Sequence, residues 1–151
     1  MNQFNLPTIY KAGALIFDPY KRVLAVHKRG KPARELIVPG GKIERDETDE
    51  QTLTRELYEE LNVEVLSVYP YGVFQAKAIY EDALLVMRTY IVNIKGIPVP
   101  GSEIDRLVWL DANYGDSGYE FASILGQQIM PRLFAEGLLG NLKEAMGIRI
   151  D

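Results

Sequence analysis

Apolar and polar positions change period along the chain, and the changes mark out its elements. From Tyr10 to Phe17, "YKAGALIF" is an apolar run of strand length; "DPYKR" supplies turn chemistry and "VLAVHK" resumes the pattern, so the two runs predict a hairpin. After the basic loop "KRGKPAR", the short run "LIVP" ends at Pro39 and the pair Gly40-Gly41, which predicts a strand feeding a tight loop. Thr48 with Gln51 three positions on forms a capping box, and Asp49 and Glu50 suit the positive end of a helix dipole. A helix is expected from near Asp49 to about Leu61, with Asn62 in the left-handed closing position. The stretches around Val63 to Ala78 and Ala83 to Ile94 are rich in Val, Tyr, Ile and Leu and read as strands. "KGIPVPGSE" reads as a loop and "RLVWL" as a last short strand. Helical periodicity returns from Tyr119 to about Leu139, where Pro131 should kink or divide it. The order predicts an α/β fold, a mixed sheet covered by helices. No repeat, low-complexity tract or linker interrupts the chain, so one domain over residues 1–151 is expected.

Composition narrows the function. At 151 residues, 47% hydrophobic and 25% charged, the chain is long enough for one real core and has ordinary globular proportions. A net charge of -4 and a pI near 5.1 argue against a general nucleic-acid binder, while leaving room for a phosphorylated small molecule met by local cations. The absence of cysteine excludes disulfides, thiolate zinc sites and a Cys nucleophile. The first residues carry no basic segment followed by an apolar run of signal length, and no stretch reaches the roughly 18 apolar residues of a membrane span. A cytoplasmic location with no membrane partner is the expectation.

The expected helix has two faces. At about 100° per residue, Leu53, Leu57 and Leu61 share one stripe and Glu56, Glu59 and Glu60 another. Acidic outer faces are common on solvated helices. Here the leucines fix the orientation of three carboxylates, read as lacking basic neighbours, which repel one another unless a hard divalent cation such as Mg²⁺ joins them.

The spacing around the helix is more specific. Gly41 is followed after five residues by Glu47, after seven more by Arg55, and then by "RELYEELNV". This resembles the signature of the Nudix hydrolases, with Asn62 in place of its late Gly; "VPGGKIE" is similar to the start of the motif in the MutT-like branch. Asn tolerates positive φ, so the substitution should leave the chemistry intact.

The resemblance implies a Nudix-type α/β/α sandwich and a Mg²⁺-dependent pyrophosphohydrolase, with Mn²⁺ as a substitute. Such an enzyme cleaves a nucleoside diphosphate linked to another group, by attack of water on phosphorus. It implies Glu56, Glu59, Glu60 and the Gly40 carbonyl as metal ligands, Arg55 orienting Glu56, and Glu47 holding Arg55 or a metal-bound water. Glu103 is the outside candidate for general base, followed by Asp105 and Glu120. Gly41, Lys42 and Arg34, with Lys28 and Arg29 nearby, are candidates for substrate phosphates. His27, the sole histidine, receives no role, and Trp109 reads more readily as core than as a base-stacking ring. A small nucleotide is the expected partner, and a homodimer is compatible with the resemblance. The alternatives are a non-catalytic nucleotide-binding module of the same fold, against which the intact acidic motif speaks, and isomerisation of an isoprenoid diphosphate, for which the resemblance implies a cysteine this chain lacks.

Overall fold

The computed structural model describes residues 6–78 and 82–145, so the ends of the expected 1–151 domain lie outside the described residues. Strand β1 (Thr8–Leu15) has neighbours on both edges. It runs antiparallel to β4 (Gly40–Lys42) and parallel to β6 (Leu84–Lys95), which pairs antiparallel with β5 (Glu64–Lys77). The result is a mixed four-stranded sheet in the order β4-β1-β6-β5. Strand β2 (Val23–Lys28) pairs antiparallel with β7 (Ile104–Leu110), and β3 (Glu35–Leu36) pairs parallel with β8 (Glu120–Phe121).

Alternation along the strands sets the layers. Ala12, Ala14, Ile16, Leu24 and Val26 form one buried cluster with Leu53, Leu57 and Leu61 of helix α1 (Asp49–Leu61). The intervening residues Leu15, Val23 and Ala25 join Ile124, Leu125, Ile129, Met130 and Leu133 in a second cluster. Helices thus cover both faces, an α/β/α sandwich. Each fully buried leucine of the α1 stripe contributes about 1.5–3 kcal/mol.

The ends of α1 follow the sequence. The Thr48 hydroxyl accepts the Gln51 amide at 3.1 Å, the Gln51 side chain accepts the Thr48 amide at 2.9 Å, and Asn62 closes the helix at φ 55°. Asp49 does more than favour the dipole. Its carboxylate accepts two hydrogen bonds from Arg88 of β6, at 2.7 and 2.8 Å, and one from the Tyr90 hydroxyl. The Arg88 bonds hold its pKa below the usual aspartate value, against the opposing effect of burial. The sign follows: a depressed folded pKa gives stability that is complete above the unfolded value and lost as pH falls through the folded one. Asp49→Asn is therefore expected to cost about 1–3 kcal/mol in urea denaturation at neutral pH, with the gap to wild type closing in acid. A constant gap down to the lowest pH at which both fold would refute the linkage.

Three expectations are corrected. Gly40 and Gly41, expected in a tight loop after a strand over "LIVP", lie in β4, because their backbone pairs with Gly13 and Ala12 of β1, and the strand before them is confined to Glu35–Leu36. The turn after β1 closes as read, with the Asp18 amide donating to Arg22 O at 3.0 Å and the Leu24 amide to Ile16 O at 2.9 Å. Beyond it the strands part, because β4 and β6 occupy both edges of β1 and β2 pairs with β7. The segment from Tyr119 is also not helical at its start. Glu120 and Phe121 form β8 alongside β3, with the Glu120 amide on Arg34 O at 2.8 Å and the Ala122 amide on Leu36 O at 3.0 Å. A π-helical stretch, Ile124–Ile129, then leads into α2 (Met130–Ala135). Pro131 divides the segment as expected: lacking an N–H, it is accommodated in the first turn of α2. Among the described residues no helix is long and apolar enough to cross a membrane.

Candidate active site

The carboxyl end of α1 leaves carbonyls without partners inside the helix. The loop before β7 satisfies two of them: Val99 donates to Leu61 O at 3.0 Å and Gly101 to Glu60 O at 2.8 Å. This docking carries Glu103 to the helix end. On the other side, the Gly40 amide donates to Glu60 Oε1 at 2.9 Å. Gly40 has φ +136°, and a Cβ there would stand 2.1 Å from Ala12 O, so only glycine fits. A Cβ on Gly41 would stand 2.5 Å from the carboxyl carbon of Glu56. The two glycines keep the backbone bare where the acidic helix approaches it.

Glu56, Glu60 and Glu103 line a cavity of about 450 Å³ together with Gly40, Gly41 and the lysines Lys11, Lys28, Lys31, Lys42 and Lys77. Apolar side chains, among them Ile9, Leu85, Met87 and Leu125, make up much of the remaining wall. Glu60 is 9% exposed, and burial pushes its carboxyl up to about 7. Glu56 and Glu103 push the same way, against the Gly40 amide and Lys28.

The reading of carboxylates without basic neighbours is corrected here. Arg55 grips Glu47 through Nε at 2.8 Å and Nη2 at 2.9 Å, and donates from Nη1 to Glu56 at 2.6 Å. The Arg55 bonds draw the Glu47 carboxyl down to about 2. Lys28 Nζ lies 3.0 Å from Glu103. Among the described residues, no three acidic or imidazole groups form a ready-made metal cage. The donor set nevertheless suits a hard cation. A desolvated carboxylate, with two further acids raising its proton affinity, lines a lysine-rich cavity, and Mg²⁺ commonly takes only one or two protein carboxylates and completes its shell with water and phosphate oxygens.

Other candidates lie elsewhere. Glu59 is exposed and does not line the cavity: on the helix it lies on the side of Glu56 away from Glu60, about 100° from the latter. Arg34 is directed away, donating from Nε to Gly118 O at 2.6 Å with its guanidinium over the Tyr119 ring. Arg29 donates to Ser102 O at 2.9 Å. Glu120 is exposed on β8 and outside the cavity, Asp105 is taken by His27, and Trp109 packs against the α1-side core. Lys42 and Lys28 do line the cavity. Sequence reasoning missed Lys11, Lys31 and Lys77. Lys11 had a signal: it is the one charge within "YKAGALIF", at the same parity as Ile9, which also lines the cavity.

Comparison with known proteins agrees with this architecture. The chain is 36% identical over 87 residues to an 8-oxo-dGTP diphosphatase of Haemophilus influenzae; the match covers 57% of this chain and 62% of that relative's length. The solution structure of the E. coli ORF135 protein superposes with a TM-score of 0.69 at 23% identity, covering 90% of this chain and 97% of that one. A MutT protein from Methanosarcina mazei Go1 gives 0.75 at 15% identity, covering 88% and 97%. At those identities the two structures speak for the fold alone. Residues 7–115 match the model of the NUDIX domain, and with the spaced motif from Gly41 to Val63 inside that range, the chain belongs to the Nudix family.

Proposed function

We propose that this chain is a divalent-cation-dependent pyrophosphohydrolase, with Mg²⁺ as the working ion, acting on a small nucleotide in which a nucleoside diphosphate is linked to another group. The observation that carries the reading is the desolvated Glu60 carboxylate beneath the Gly40 amide, lining a lysine-rich cavity with Glu56 and Glu103. Glu56, Glu60 and the Gly40 carbonyl would hold the cation; the exposed position of Glu59 lends no support to the part expected of it. When bound, the cation neutralises phosphate charge and eases ionisation of the attacking water.

The chain's own groups do the rest. Arg55, clamped by Glu47, fixes the direction of the Glu56 carboxylate through a charge-assisted bond. The lysines of the cavity meet phosphate oxygens. Glu103, exposed and at the cavity, would take the proton of water as it attacks phosphorus and the anhydride P–O bond breaks. The Haemophilus relative's name points to an oxidised guanine nucleotide for that protein. For this chain we carry over only the class, small nucleotides.

The test is phosphate and pyrophosphate release from a panel of nucleoside triphosphates and nucleotide-sugars. Turnover is expected with Mg²⁺, and a loss of at least about a hundredfold in EDTA. Saturable nucleotide binding with no turnover across the panel would instead favour a non-catalytic binding module.

A further inference from the structure

The single histidine stands at a join between two loops. His27 is 5% exposed at the end of β2, and its Nδ1 lies 2.5 Å from Asp105 Oδ1. Its Nε2 lies 3.0 Å from Pro32 O and 3.3 Å from Lys31 O. Every partner is an acceptor: a carboxylate on one side of the ring, backbone carbonyls on the other. A neutral imidazole can donate from one nitrogen only, so both contacts are satisfied only when the ring carries two protons. The Asp105 hydrogen bond favours that form, and a bound proton on each nitrogen leaves no buried donor or acceptor mismatched.

The ladder is bent to permit this contact. His27 pairs with Arg106, but Lys28 pairs with Ile104, so Asp105 is the extra residue of a bulge. The bulge frees Asp105 from strand pairing and turns it to the ring. The residues on either side of the join are those that line the cavity. Lys28 follows His27 directly and lies 3.0 Å from Glu103, while Arg29 donates its amide to Glu103 O at 2.8 Å. Lys31, whose carbonyl faces the ring, also lines the cavity.

We propose that His27 is a positioning residue: by tying the 29–34 loop to Asp105 it holds Lys28 against Glu103 and so sets Glu103 at the cavity, and it acts on turnover through Glu103. The part given to Glu103 rests on the hydrolase reading above; the tie between the loops does not.

The experiment compares wild type, His27→Gln, Asp105→Asn, Glu103→Gln and the double variant His27→Gln/Glu103→Gln. Amide hydrogen exchange reads the tie without substrate. Exchange in residues 28–35 and 101–105 is expected to quicken about tenfold or more in His27→Gln, and less in Asp105→Asn, which keeps the side-chain shape, with α1 unchanged. The kcat on the best nucleotide is expected to fall about 10- to 100-fold in His27→Gln, with KM moving much less. In the Glu103→Gln background the His27 substitution should add almost nothing. Unchanged exchange in both loops, or losses that multiply in the double variant, would overturn the proposal. A wild type that hydrolyses nothing across the panel removes the hydrolase reading instead, and the exchange result still decides whether His27 ties the two segments.

Discussion

Glu60→Gln is expected to reduce Mg²⁺-dependent turnover by about a hundred- to a thousandfold and, at the same time, to make the cation-free protein more stable. Both effects come from one carboxylate. Glu60 is 9% exposed, and its protein partner is the Gly40 amide at 2.9 Å. Burying a charge with so little compensation costs free energy, which is the reason its carboxyl is pushed up to about 7. Glutamine fills the same volume and its side-chain oxygen can still accept from Gly40, so the variant sheds the cost of burying a charge. Removing that cost should raise stability in EDTA on the order of 1–3 kcal/mol, measured by urea denaturation. The same change takes away the anionic oxygen a hard cation requires. Added Mg²⁺ should therefore stabilise wild type and leave the variant unmoved. A variant that keeps wild-type turnover, or that is less stable than wild type in EDTA, would falsify the assignment of Glu60 to a site where stability is given up for metal binding.

The parts of this architecture that depend on neighbours in sequence were legible before the structure. The Thr48–Gln51 box, the Asn62 stop and the leucine stripe of α1 each lie within a few residues of one another, where helix geometry alone decides the outcome. The acidic motif was legible for the same reason. What failed to read was set by contacts across the chain. Strand β1 parts from β2 because residues more than 20 positions away take both its edges, and Glu120–Phe121 becomes a strand because Arg34 and Leu36 offer carbonyls to it. At the site, helix phase could group Glu56, Glu59 and Glu60 but could not say which of them the glycines of β4 cover. Gly41 covers Glu56 and Gly40 covers Glu60, and Glu59 is left in solvent. Arg34 is near the glycines in sequence, but the Gly118 carbonyl holds its side chain away from the site. The sequence offers Glu103 as a candidate but no reason for its arrival. The reason is the pair of free carbonyls at the end of α1, which bind the loop that carries it.

Gly41→Ala is expected to lower turnover by about a hundredfold while leaving the fold intact. The new Cβ would stand 2.5 Å from the carboxyl carbon of Glu56 and 2.6 and 2.8 Å from its two oxygens, so the carboxyl group must move. It can move, because it ends a flexible side chain, and the destabilisation should stay within about 1–3 kcal/mol. It cannot move without lengthening the 2.6 Å bond from Arg55, whose guanidinium is fixed by two bonds to Glu47. The carboxylate thus loses its orienting partner, and a small displacement of a catalytic group is costly to rate. Shortening the acid should relieve the clash: Glu56→Asp in the Gly41→Ala background should recover part of the lost turnover, although Glu56→Asp alone lowers it. Gly115, where an added Cβ meets nothing within 4 Å, supplies the control, and Gly115→Ala should behave as wild type. Melting temperature and kcat measured together for the four variants separate the cases. If Gly41→Ala unfolds, or if it keeps kcat within about threefold of wild type, the close approach of Gly41 to Glu56 does not govern catalysis. If it folds, is slow, and is partly rescued by the shorter acid, the bare glycine is there to let that carboxylate reach its place.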